Sequence, residues 1–233
     1  MPQVHLLVPA QRHVFDVSNG EAEVAASTDS ADGFRRYKAL QEDGRTVGMV
    51  AFPNTLLIRG ERAYLVDPGL IMQGGPVIGA LAELGVEPGE IKDVILTHLH
   101  FDHAEGLAAW PQRRTYVHRL ETEAPYAQIV SGMLEMANLE VLDSEEGEIE
   151  PGIRWLRTPG HCDGLISLCV DTDEGLVVIA SDCVGPLPEY FDEMDLPEDF
   201  GPERDELLAQ WRRIRDLEPA VVIPGHNPPV KLG

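Results

Sequence analysis

Thr97-His98-Leu99-His100-Phe101-Asp102-His103 is the stretch on which the reading of this chain turns. It sets three imidazoles and a carboxylate in one short run, directly after the apolar segment Val94-Ile95-Leu96. A segment of that kind reads as a strand buried on both faces, and the loops leaving strand ends are where α/β scaffolds carry reactive groups. Nitrogen and oxygen donors mixed in this way suit a first-row divalent metal. His98 and His100, two positions apart on extended chain, point to one side. After a turn, Asp102 and His103 are placed to face a second ion beside the first.

Two ions need more donors than this run holds, and the sequence supplies them. Thr158-Pro159-Gly160-His161 follows the apolar run Ile153–Arg157, Ser181-Asp182 follows Leu176–Ala180, and Pro224-Gly225-His226 follows Val221–Ile223. Each ends a strand-like segment in a ligand residue, so all are expected to converge at one end of the sheets. In the repeated Pro-Gly-His, Pro and Gly make the sharp turn that aims a side chain off a strand's end.

This order of motifs, over roughly residues 45–230, resembles the metallo-β-lactamase superfamily. The resemblance implies an α/β fold, a four-layer αβ/βα sandwich with two divalent metal ions at the edge between its sheets. It assigns His98, His100 and His161 to one ion, Asp102, His103 and His226 to the other, and Asp182 to a bridge between them. Zinc is the expected metal, with iron, manganese and cobalt as alternatives. It implies a hydrolase in which a hydroxide bridging the metals attacks a carbonyl, a cation steadies the oxyanion, and Asp102 relays a proton to the leaving group. Within the superfamily the motifs most resemble the quorum-quenching N-acyl-homoserine lactonases, so opening of a lactone ring is the expected reaction. A glyoxalase-II-like thioesterase is the alternative enzyme, and a noncatalytic or redox di-iron member of the fold is the alternative of another class. Many such lactonases use a Tyr near the substrate carbonyl. Cys183-Val184-Gly185 after the bridging Asp lacks it, and Tyr190 is the candidate replacement. The segment Leu187–Phe200 is either a pocket wall or a loop packed on the last helix. Asp67, in Asp67-Pro68-Gly69, either orients a ligand His by hydrogen bonding or simply forms a turn. His5, His13 and His118 read as surface or structural residues, and Cys162 and Cys183 as core filling.

The rest of the chain is read around these motifs. At 233 residues with 43% hydrophobic content, residues 1–233 are expected to form a single domain. The formal charge of −22 disfavours nucleic acid and acidic membranes as partners. A small-molecule substrate is expected, with a homodimer as a candidate assembly. Met1-Pro2-Gln3-Val4-His5 lacks a secretory pattern and the three cysteines make no disulfide framework, so a cytoplasmic protein is expected. No apolar run approaches bilayer length. Residues 18–46, rich in Ser, Asp, Glu and Ala, read as a loop or mobile insertion. Met49–Ile58 and Arg62–Val66 read as a hairpin about Gly60. Pro76–Leu84, Glu121–Asn138 and Glu203–Leu217 read as helices.

Overall fold

The computed structural model describes residues 1–198 and 200–232, with residues 26–29 followed through the backbone alone. Asp199, inside the candidate pocket wall, and the side chains of 26–29, inside the 18–46 segment, lie outside the described residues.

Strands are numbered in chain order. One large sheet runs β1 (Gln3–Val8), β5 (Thr55–Arg59), β6 (Ala63–Val66), β7 (Asp93–Ile95), β8 (Arg114–His118) and β9 (Asn138–Leu142). Its β1–β5–β6 part is antiparallel and the rest is parallel. The second runs β10 (Glu146–Glu150), β11 (Ile153–Arg157), β12 (Ile166–Thr172), β13 (Gly175–Ser181), β14 (Val221–Pro224) and β15 (Val230–Lys231). A small sheet has the order β3 (Glu23–Asp29), β2 (Gln11–Asp16) and β4 (Val47–Phe52).

The two large sheets face each other, and side-chain alternation along the strands shows it. Leu56 and Ile58 of β5 join Ile153, Ile166, Leu168 and Ile223 of the opposite sheet in one buried cluster. Leu57, between them, turns the other way onto Val77 and Leu81 of the helix Gly74–Glu83. On the far side, Cys169 and Val178 pack on Leu207, Trp211 and Ile214 of the helix Arg204–Arg215. Strands covered on both faces are largely apolar, as in the consecutive buried run Leu56-Leu57-Ile58 of β5. Helix, sheet, sheet and helix stack in that order, the four-layer arrangement expected.

Several elements differ from expectation. Residues 18–46 are not a loop: they carry β3 and the helix Ser30–Glu42. Their polar composition reflects a thin layer, in which β3 pairs with β2 and the helix buries Ala31 and Leu40 while its other face meets water. Met49–Ile58 is two strands in different sheets, parted at Pro53-Asn54. Pro53 has no N–H for a ladder, and buried Asn54 bonds elsewhere, accepting from Ala10 N and donating to Pro224 O and Asn227 O. Glu121–Asn138 is broken into the short helix Arg119–Glu123, a 3-10 turn Pro125–Val130 and the helix Ser131–Glu135, Pro125 interrupting the hydrogen-bond run. The acidic composition of β10 gives no strand signal. It holds its place because Glu150 is buried and accepts from Tyr64 Oη at 2.6 Å and Glu61 N at 2.8 Å.

Candidate metal centre

Strand ends from both large sheets meet at one rim, and a buried network fixes their relation. Asp67, just beyond β6, accepts from Thr97 N at 2.8 Å through Oδ1 and from Thr97 Oγ1 at 2.7 Å through Oδ2. Thr97 Oγ1 lies 2.8 Å from Ser181 Oγ, at the end of β13. The ends of the two facing sheets are thus tied by side chains that exclude water, with Asp67 and Ser181 each 2% exposed. Both residues have positive φ, 45° and 49°, a conformation costing on the order of 1–3 kcal/mol each and held only where surroundings demand it.

On this frame the ligand candidates converge. His100 caps the short helix Phe101–Ala104 from extended backbone, so one turn of helix brings Asp102 and His103 back towards the rim. His98, His100 and His161 form one cluster of potential ligand atoms, Asp102, His103 and His226 a second, and His98, His103 and Asp182 a third between them. Asp182 lies among four imidazoles: its carboxylate is 3.3 Å from His161 Nε2, 3.4 Å from His103 Nε2, 3.5 Å from His226 Nε2 and 3.9 Å from His98 Nε2. His226 Nε2 is 3.1 Å from Asp102 Oδ2. Glycine at 225 is required here, because a Cβ would collide with Asp182 Oδ1. All the residues that the sequence marks as ligands are therefore brought to one place.

Asp67 Oδ2 is 2.9 Å from His103 Nδ1. A carboxylate at that distance favours the proton on Nδ1, which would leave Nε2 to face Asp182, the arrangement by which an outer carboxylate orients a ligand imidazole. His118 lies away from this rim, accepting from Leu120 N and sitting 3.2 Å from Ser144 O, which makes it structural. Cys183 is buried among apolar side chains, and burial pushes its thiol up to about 12.

The electrostatics point to cation binding. Burial, reinforced by neighbouring imidazoles, holds His98 well below its ordinary value and lowers His100 as well. Burial opposes protonation of His103 and His226 too, but Asp182, with Asp67 for the former and Asp102 for the latter, raises both. Against the desolvation that would raise it, Asp182 is held well below the usual carboxylate range by His226 and His103. Positive charge is therefore drawn to the centre of the cluster. Buried His98 Nε2 and Asp182 Oδ1 have no hydrogen-bond partner. Imidazole nitrogens face one another at 2.9 Å between His161 and His100 and at 3.2 Å between His103 and His226. Lone pairs so close are favourable only with a proton or cation between them. The donor set, its orphaned atoms and its geometry fit divalent metal ions.

Sequence reasoning missed the residues that hold this centre from outside. Glu121 is fully buried and accepts from Leu99 N at 2.8 Å, from Gly164 N at 3.0 Å and from Tyr126 Oη at 3.0 Å. It clamps the loop of His98 and His100 to that of His161. The ring of Tyr126 stacks edge-on against His100, with centroids 4.8 Å apart. Asn54 holds the His226 loop through the bonds described above. A cavity of about 240 Å³ adjoins the centre, lined by Arg12, His161, Asp182, Val184, Phe200, Glu203 and His226, among others. Tyr190, expected at the pocket wall, is not in this lining: it packs against the apolar cluster around Trp211. The short helix Pro188–Glu193 turns it there by burying its neighbour Phe191. From that segment Phe200 alone reaches the cavity wall among the described residues.

Comparison with known proteins agrees with this picture. The profile of the metallo-beta-lactamase superfamily matches residues 48–226. The N-acyl homoserine lactonase AiiA of Bacillus thuringiensis subsp. kurstaki is 29% identical over 158 residues, 65% of this chain and 62% of its own length. The match thus spans less than two thirds of that relative. Metallo-beta-lactamase domain-containing protein 1 of Xenopus laevis is 30% identical over 190 residues, 76% of this chain and 71% of its own. The crystal structure of a quorum-quenching N-acyl homoserine lactone lactonase superposes with a TM-score of 0.65 at 23% identity, covering 97% of this chain and 91% of that one.

Proposed function

This chain belongs to the metallo-β-lactamase superfamily, and from that premise we propose that it is a metal-dependent hydrolase opening a lactone of the N-acyl-homoserine type. The observation that carries the reading is the carboxylate of Asp182 set among imidazoles delivered by three separate strand-end loops. His98, His100 and His161 would hold one divalent ion, Asp102, His103 and His226 a second, and Asp182 would join them. Zinc suits this donor set best. Bound there, the ions would supply water acidified towards neutrality and polarisation of the substrate carbonyl.

The chain's own groups do the rest. Asp102 is partly open to solvent and anchored by His226 Nε2, so its carboxylate is placed to accept a proton as water is consumed and return it to the departing alkoxide. Asp67 favours the His103 proton on Nδ1. Val184, Leu207 and Phe200 make one wall of the adjoining cavity apolar, which shields the reacting carbonyl from bulk water. The lactonase relatives support the choice of a lactone over other carbonyl substrates. The three free cysteines fit a reducing, cytoplasmic setting, and no helix among the described residues is long and apolar enough to cross a membrane.

The test is metal quantification on the purified protein together with hydrolysis assays on lactone, thioester and β-lactam panels. Lactone opening that is lost on chelation, restored by added metal and abolished in His103→Ala is the expected result. Hydrolysis of thioesters alone would move the assignment to the glyoxalase-II-like alternative. Activity that survives chelation would remove the metal mechanism.

A further inference from the structure

Arg12 has no place in the chemistry described so far, yet it lines the cavity beside Asp182 and His226. It lies on β2, where alternation turns Arg12 and Val14 inward together. Only 5% of its surface is exposed. Its placement is built in. Gly33 of the helix Ser30–Glu42 lies against its stem so closely that a Cβ there would sit 2.7 Å from Arg12 Cβ. The ring of Phe34 covers the guanidinium at 5.2 Å.

The hydrogen bonds are one-sided. Nη1 donates to Ser30 O at 2.7 Å and, weakly, to Pro186 O at 3.5 Å. Nε is buried without any partner, and Nη2 makes no hydrogen bond among the described residues. Nε and Nη2 are the two donors of one edge of the guanidinium, the fork whose spacing matches the two oxygens of a carboxylate. Leaving a buried charged donor unpaired is unfavourable. In a chain of net charge −22, a buried cation kept at the mouth of a metal cluster opposes the general field. It favours an anion at this one place.

We propose that Arg12 is a specificity-determining residue that receives a carboxylate of the substrate on its Nε/Nη2 edge. The preferred substrates are then esters or lactones that carry a free carboxylate apart from the bond cleaved. This rests on the metal-dependent hydrolase part of the reading above and not on its N-acyl-homoserine lactone, which is uncharged; for the same site it names an anionic class of ester or lactone instead. It predicts selectivity between molecules that differ only in that anionic group.

The experiment compares metal-loaded wild type, Arg12→Gln and Arg12→Lys on 4-nitrophenyl butyrate, which is neutral, and on the mono-4-nitrophenyl ester of glutaric acid, which carries a carboxylate. The quantity read is the ratio of kcat/KM for the anionic ester to that for the neutral one. The wild-type ratio is expected above one, falling about 10- to 100-fold in Arg12→Gln, the range for loss of a charged hydrogen bond. Most of that loss is expected in KM. Arg12→Lys retains the charge and much of the stem, so it guards against misfolding, and its ratio is expected between the other two. Equal ratios in all three proteins, with the neutral ester turned over, would overturn the role of Arg12 and leave the hydrolase reading standing. Failure to hydrolyse either ester or any lactone would overturn the hydrolase reading and this inference with it.

Discussion

Glu121→Gln is the most demanding test of how the centre is held, because Glu121 touches no candidate ligand side chain. Its Oε2 accepts from Leu99 N and its Oε1 from Gly164 N, while Tyr126 Oη donates between them. A glutamine keeps one acceptor oxygen but turns an NH₂ towards the other backbone N–H. One charge-assisted hydrogen bond is lost and one fully buried amide is left unpaired, about 3 kcal/mol together. For a protein of this length that corresponds to a fall in melting temperature of roughly 6–12 °C. Leu99 lies between His98 and His100, and Gly164 lies three residues beyond His161, so the same change loosens the two loops that would share one ion. Affinity for that ion is expected to fall about 10- to 100-fold, as when an outer partner of a ligand is removed. The assay pairs thermal unfolding of the metal-free protein with a metal competition titration against a chromophoric chelator. A variant that melts with the wild type and loads metal equally well would refute the argument that Glu121 joins the two loops.

Asp67→Asn retains an acceptor for His103 Nδ1 only by turning its amide NH₂ towards Thr97 N. Metal affinity is expected to drop about 10- to 100-fold with far-UV circular dichroism unchanged, and unchanged affinity in the same titration would assign Asp67 a turn-forming role alone. Gly225→Ala places a methyl group where Asp182 Oδ1 sits. A displacement of order 1 Å at that carboxylate is expected to cost about 100-fold in kcat/KM, and wild-type turnover in this variant would show that Asp182 is not held by the His226 loop.

How much was legible in the sequence follows from what each residue must do. His98, His100, His103, His161, Asp182 and His226 announce themselves because imidazole and carboxylate at the ends of apolar runs have few other uses there. The apolar continuity of Val94-Ile95-Leu96 likewise marks burial on both faces. Glu121 gives no such sign: it is one of 40 acidic residues, and only the folded chain reveals that two loops donate to it. Arg12 sits in an alternating strand like many surface arginines, and the helix that buries it comes from a segment whose composition suggests a loop. Thr97 and Ser181 are small hydroxyl residues beside the recognised motifs, and their bond spans 84 positions of sequence. Asn54 splits an apolar run because of partners near residue 224, which no local pattern foretells. Tyr190 is suggested only by its distance along the chain from Asp182, and burial of its neighbour Phe191 turns it elsewhere.

The small sheet β3-β2-β4 and its helix carry Arg12 to the cavity, yet none of the residues that would grip metal stands on them. On the proposal for Arg12, the grip on the substrate's anionic group comes from a part of the fold separate from the one that would hold the metal. Changes in this outer leaf would alter what the cavity accepts while leaving the seven candidate ligands in place. For an engineer it is the portion to randomise first.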